Sequence, residues 1–190
     1  MYATLIQPAT TTETDRAARY LAQSRTGVVH VVRGLTQAQW DFKPAPERWS
    51  IAEIVEHLAL VEEVFLERAV PQLCASPLRE LGSEPQATDL QILFFPRGGA
   101  STKIPAPQRV VPAGRWTPAE SLDRFLEKRK RTCSFLEAPG IELREHVLDH
   151  PVFGPLDGYQ WVLFLAAHTQ RHIKQILGVK IHPDLPLEEF

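Results

Sequence analysis

The chain has 190 residues, enough to bury a sizeable core, and reads as one domain, 1–190, with a long excursion rather than as two. Its 21 lysines and arginines nearly balance 23 aspartates and glutamates, so no global field argues for nucleic acid or an anionic membrane as a partner. The two cysteines, Cys74 and Cys133, lack CxxC spacing, which speaks against a disulfide scaffold and against a cysteine metal site and points to a reducing compartment.

The chain starts MYATLIQPATTTETD, with no basic region leading into an apolar core, and its longest apolar run, Trp161 to Ala167, is too short to span a bilayer. The expectation is a soluble cytoplasmic protein. The first helix is predicted from near Thr12, with Ala17, Leu21, Ser24, Val28, Val31 and Leu35 on one stripe, Gly27 as a weak point and Gly34 as the stop. Prolines in TQAQWDFKPAPERW then favour extended or turn structure. A second helix begins at Ser50, where Glu53 completes a capping box, and continues to about Leu73 with Ile54, Leu58, Val61 and Phe65 on its apolar face.

Some forty residues follow, roughly Cys74 to Trp116, broken by Pro77, Pro85, Pro96, Pro105, Pro107 and Pro112. A connection that long is a crossover or a functional loop, and it allows helices two and three to run parallel; LQILFF within it reads as a small helix or strand. Helix three starts at Thr117-Pro118-Ala119-Glu120 and buries Leu122, Phe125, Leu126 and Leu136. Arg129 falls on that stripe, and snorkelling to solvent is its expected escape. The basic run EKRKR, residues 127–131, reads as a solvated face. The fourth helix runs from about Asp157 to Leu177, capped by Asp157 and Gln160 and stopped by Gly178; its stripe is Trp161, Phe164, Leu165, His168, His172 and Ile176. The fold class is therefore all-α, a four-helix bundle with a long crossover between helices two and three.

His168 and His172 lie four apart, hence on one helix face and about 6 Å along the axis, where two imidazoles can close on one metal ion. If the bundle turns His57 of the second helix towards them, the chain carries three nitrogen ligands and one open position, the arrangement of a catalytic zinc site. Among the other histidines, His150 caps or turns the loop before helix four, His30 and His182 read as surface residues, and His146 sits among charges. Glu53 is explained by its capping box, although one turn before His57 it could also serve as a base. Trp40, Phe42, Trp49 and Trp161 read as core aromatics. No nucleophile elbow, Cys-His pair or phosphate-binding glycine motif is recognisable.

The segments FKPAPERWSIAEIVEHLALVE and HPVFGPLDGYQWVLFLAAHTQRHIKQI resemble the DinB-like superfamily, which includes bacillithiol transferases and maleylpyruvate isomerase-type enzymes. The resemblance covers essentially the whole chain. It implies one divalent ion, zinc or nickel, on His57, His168 and His172, and transfer of a low-molecular-weight thiol to an electrophile. Metal-dependent hydrolysis, or a non-enzymatic bundle that binds a metal or small ligand, stand as alternatives. The partners it implies are a small thiol and its electrophile, with a homodimer compatible and neither nucleic acid nor membrane expected.

Overall fold

Capping chemistry decides where the helices start. In the computed structural model, which describes residues 11–79, 85, 87–95, 105–138 and 142–187, α1 spans Thr11–Val32 and ends just before Gly34, whose φ of 75° lies in the left-handed region that glycine tolerates. Ser50 accepts the Glu53 N–H and opens α3, Ile51–Val64. Thr117 and Asp157 do the same for α6, Pro118–Leu136, and α7, Gly158–Lys180. All three starts carry the reciprocal capping box that the sequence predicts.

The connections and helix ends add detail to this outline. The proline-bearing connection after α1 begins with a short helix, α2, Gln37–Asp41, because Thr36 and Gln39 form another capping box before Pro44 is reached. The second long helix is continuous to Ala75 but contains a π turn, Phe65–Ala69, between α3 and α4, Val70–Ala75. There the Val70 N–H reaches back five residues to the Phe65 carbonyl, and Pro71, which has no N–H to offer, follows immediately. In the crossover, LQILFF lies largely within α5, Asp89–Phe94; residues 96–104 of that crossover, including Pro96, lie outside the described residues, as do 1–10 and 188–190. Gly178 does not stop α7: packing against α1 carries the helix to Lys180, whose ammonium donates to the Val31 carbonyl at the end of α1, 2.8 Å away.

An antiparallel hairpin, β1 Val147–His150 and β2 Gly154–Asp157, leads into α7, with Val147 opposite Asp157 and His150 opposite Gly154. Four-residue strands are too short to show periodicity, and the sequence reading passed over them.

Cross-helix contacts give the directions. Glu56 meets residues 113–115 and Glu62 meets Arg129, so α3 and α6 run parallel, as a long crossover permits. Ser24 and Thr169 share Arg129, and Val31 meets Lys180, so α1 and α7 also run parallel. Pairing of His57 with His168 and of Phe65 with Trp161 makes α3 antiparallel to α7. Gly27 lets α1 approach α7 closely: a Cβ there would stand 2.7 Å from Cδ1 of Ile173.

Arg129 does not snorkel. It is fully buried and paired with Glu62 at 2.6 Å, while its other N–H groups reach Ser24 Oγ and Thr169 Oγ1, both at 2.7 Å. Thr132 donates to the second Glu62 oxygen, 2.6 Å away. This polar layer takes a residue from each long helix and divides the core into two apolar clusters, one around Leu21, Phe65 and Leu163, the other around Val28, Leu58, Phe125 and Ile176. The EKRKR run is consequently not a solvated face throughout, because Lys128 is also largely buried, near Glu63 and Glu67.

Candidate metal centre

His57 projects from the middle of α3, and His168 and His172 project from successive turns of α7, which runs antiparallel to it. The bundle brings the three rings together. Nε2 of His168 lies 3.3 Å from Nε2 of His57 and 3.1 Å from Nε2 of His172. Ring centroids are separated by 4.4 to 5.1 Å with steep interplanar angles, so the ring edges converge instead of stacking.

The donor chemistry fits a cation. Nδ1 of His57 lies 2.7 Å from the Val110 carbonyl, which can only accept, so the neutral ring carries its proton on Nδ1 and presents a bare lone pair at Nε2. Ligands about 2.0 to 2.1 Å from a tetrahedral zinc ion stand about 3.3 to 3.4 Å apart, close to the separations found. Burial keeps the rings neutral. It pushes His57 down to about 4 against the opposing Val110 bond, and holds His168 and His172 well below the usual imidazole value, with the neighbouring rings adding to the effect. Among the described residues, Nδ1 of His168, Nδ1 of His172 and Oε1 of Gln175 are buried without a hydrogen-bond partner.

Three residues that the sequence reading did not assign complete the surroundings. Trp49, immediately before the Ser50 cap, lies over His57 at 4.8 Å and alongside His172 at 6.3 Å, so it is a wall of the site and not merely core. Val110 contributes a main-chain carbonyl, for which no side-chain pattern gives a signal. Glu56, adjacent to His57, is buried and accepts the N–H groups of Ala113, Gly114 and Arg115 at 2.9 to 3.3 Å, besides the Arg115 guanidinium. It thereby ties down the stretch of crossover that follows Val110. An acidic residue beside an inward histidine in an otherwise apolar stretch was the available clue. These bonds outweigh its desolvation and hold the Glu56 carboxyl below its usual value.

Glu53, by contrast, is occupied by the Ser50 N–H and Lys43, each 2.8 Å away. His30 is exposed, and His182 is half-buried against Phe42. His146 bonds to Ser76, and His150 caps the hairpin turn. Among the described residues, no further histidine, cysteine or carboxylate joins the three-histidine group.

A four-helix bundle with a long crossover and a largely buried triad of convergent imidazoles defines the class. The sequence matches the profile of the DinB superfamily over residues 20–176, and the chain belongs to that superfamily. It is 26% identical to YuaE of Bacillus subtilis (strain 168) over 159 residues, covering 83% of this chain and 93% of YuaE. Its fold is similar to that of YfiT from Bacillus subtilis, described as a probable metal-dependent hydrolase with an unusual four-helix bundle topology; the TM-score is 0.60 at 16% identity, over 90% of this chain and 87% of YfiT. TT2238, a four-helix bundle protein, aligns with a TM-score of 0.49 at 20% identity, over 87% of this chain and 98% of TT2238.

Proposed function

We propose that the protein is a metal-dependent enzyme that holds one divalent ion, zinc or nickel, on Nε2 of His57, His168 and His172, and transfers a low-molecular-weight thiol to an electrophile. The observation that carries this reading is the convergence of three neutral imidazole nitrogens, one of them with its lone pair fixed by Val110. Neutral ligands leave the ion its full charge, and a zinc-type ion so held lowers the pKa of a thiol or water in its open position to near neutrality. Such a three-nitrogen set with no fourth protein ligand among the described residues favours a catalytic over a structural role.

The protein's own contribution is orientation and exclusion of water. Val110 holds the His57 ring, Trp49 covers the His57 and His172 faces, and Phe164 packs against His168 at 5.3 Å. Hydrolysis is the second reading, and the description of YfiT favours it. Protein loaded with zinc or nickel should be tested with bacillithiol, mycothiol, glutathione, coenzyme A and cysteine against 1-chloro-2,4-dinitrobenzene, and with 4-nitrophenyl acetate alone. Thiol conjugation that needs metal and exceeds the His57→Ala background is expected. Metal-dependent ester cleavage without conjugation would establish hydrolysis instead, and neither activity with intact metal binding would leave a non-enzymatic bundle.

A further inference from the structure

Two of the buried polar atoms without a partner stand on one turn of α7. They are Nδ1 of His172 and Oε1 of Gln175, the latter on a side chain that is otherwise only half-buried. The two residues are three apart in the helix and therefore neighbours on one face. Their chemistry is complementary. Nε2 of His172 lies 3.1 Å from Nε2 of His168, inside the convergent group. A neutral ring that gives its Nε2 lone pair to a cation carries its proton on Nδ1, where a buried site must supply an acceptor. The carboxamide oxygen of Gln175 can only accept. Burial and the neighbouring His57 push the proton affinity of His172 down, and the Gln175 side chain is the neighbour that pushes it up. The other unpartnered ligand offers a contrast: three residues after His168 stands Arg171, which has donors alone.

We propose that Gln175 is a positioning residue of the metal centre: its Oε1 accepts the Nδ1–H of His172 and so fixes the Nε2 lone pair on the place where the three imidazoles converge. One bond then satisfies both unpartnered atoms. The assignment rests on the three-histidine site as a metal centre. It gives His172 the support that Val110 gives His57, with a different origin. Val110 belongs to the crossover, whereas Gln175 moves with α7 itself, so loosening the crossover releases His57 and leaves His172 held. A neutral carboxamide orients the ring without placing a negative charge behind the ligand.

The test compares zinc affinity and 15N-histidine spectra of the wild type, Gln175→Leu and Gln175→Glu. In the wild type, His172 should show the 15N shift of a protonated Nδ1 both with and without zinc. Gln175→Leu should weaken zinc binding roughly 10- to 100-fold, the usual effect of losing support behind a ligand, and should release the tautomer of His172 in metal-free protein. Gln175→Glu keeps an acceptor at the same place and should restore both the affinity and the Nδ1 proton. Wild-type affinity in Gln175→Leu, or a metal-free wild type whose His172 carries its proton on Nε2, would overturn the assignment. A loss in Gln175→Leu that Gln175→Glu does not restore would overturn it too, because packing of the side chain would then be the cause. Should Gln175→Leu not fold, the wild-type tautomer and Gln175→Glu decide. Wild-type protein that takes up no zinc refutes the metal reading, while the His172 tautomer in metal-free protein still decides the hydrogen bond.

Discussion

At the scale of single residues, one bond distinguishes His57 from an ordinary core histidine. Its Nδ1–H goes to Val110, so Nε2 turns a lone pair, not a proton, towards the two imidazoles it faces and is free to ligate a cation. His57→Ala and His168→Ala should each reduce metal content from about one ion per chain to near none by elemental analysis, with helicity by circular dichroism preserved. Retention of the ion by both variants would mean that other ligands hold it. His150 gives a separate pH signature. Burial lowers it from 6.5 to about 4, so between those values the unfolded chain binds a proton that the folded protein refuses. Stability from this residue is therefore complete above about pH 6.5 and is lost as pH falls towards 4, by up to about 3 kcal/mol. Denaturant midpoints of metal-free protein between pH 7.5 and 4.5 should fall less steeply for His150→Phe than for wild type, and parallel profiles would show that burial does not hold this ring neutral.

At the scale of elements, the crossover after α5 is held by a carboxylate. Glu56 gathers three successive backbone N–H groups beyond Val110, so the loop that orients His57 is fixed by the residue next to His57. Glu56→Ala should speed hydrogen exchange at Ala113, Gly114 and Arg115 and weaken zinc binding by roughly 10- to 100-fold, the usual effect of losing support behind a ligand. Unchanged exchange at those amides would show that the loop is anchored elsewhere. The π turn at Phe65–Ala69 belongs to this scale too: it absorbs Pro71 without ending the helix.

Over the whole molecule, the layer of Ser24, Glu62, Arg129, Thr132 and Thr169 fixes the heights of all four long helices relative to one another. Apolar packing alone tolerates a slide by one turn, whereas Arg129 keeps its partners at only one register. The convergence of the three histidines depends on that register, since Thr169 adjoins His168 and Glu62 lies five residues from His57. Arg129→Met should cost about 3 to 5 kcal/mol in chemical denaturation, because it strands a buried carboxylate. Adding Glu62→Leu should restore much of the loss, because no charge then remains unpaired. A double variant less stable than Arg129→Met would show that the ion pair is not what the layer contributes.

Local sequence determined the helix starts at Ser50, Thr117 and Asp157, since a capping box needs only four consecutive residues. The same local information put His168 and His172 on one face of α7 and offered His57 of the second helix as a third ligand, conditional on how the helices pack. Tertiary structure alone decided what those residues meet. The Val110 carbonyl, the Glu56 clamp and the inward course of Arg129 arise between segments 53 to 108 positions apart, where neither periodicity nor propensity carries information. Gly178 shows the same limit from the other side: glycine permits a helix to stop, and packing against α1 determines that this one goes on to Lys180.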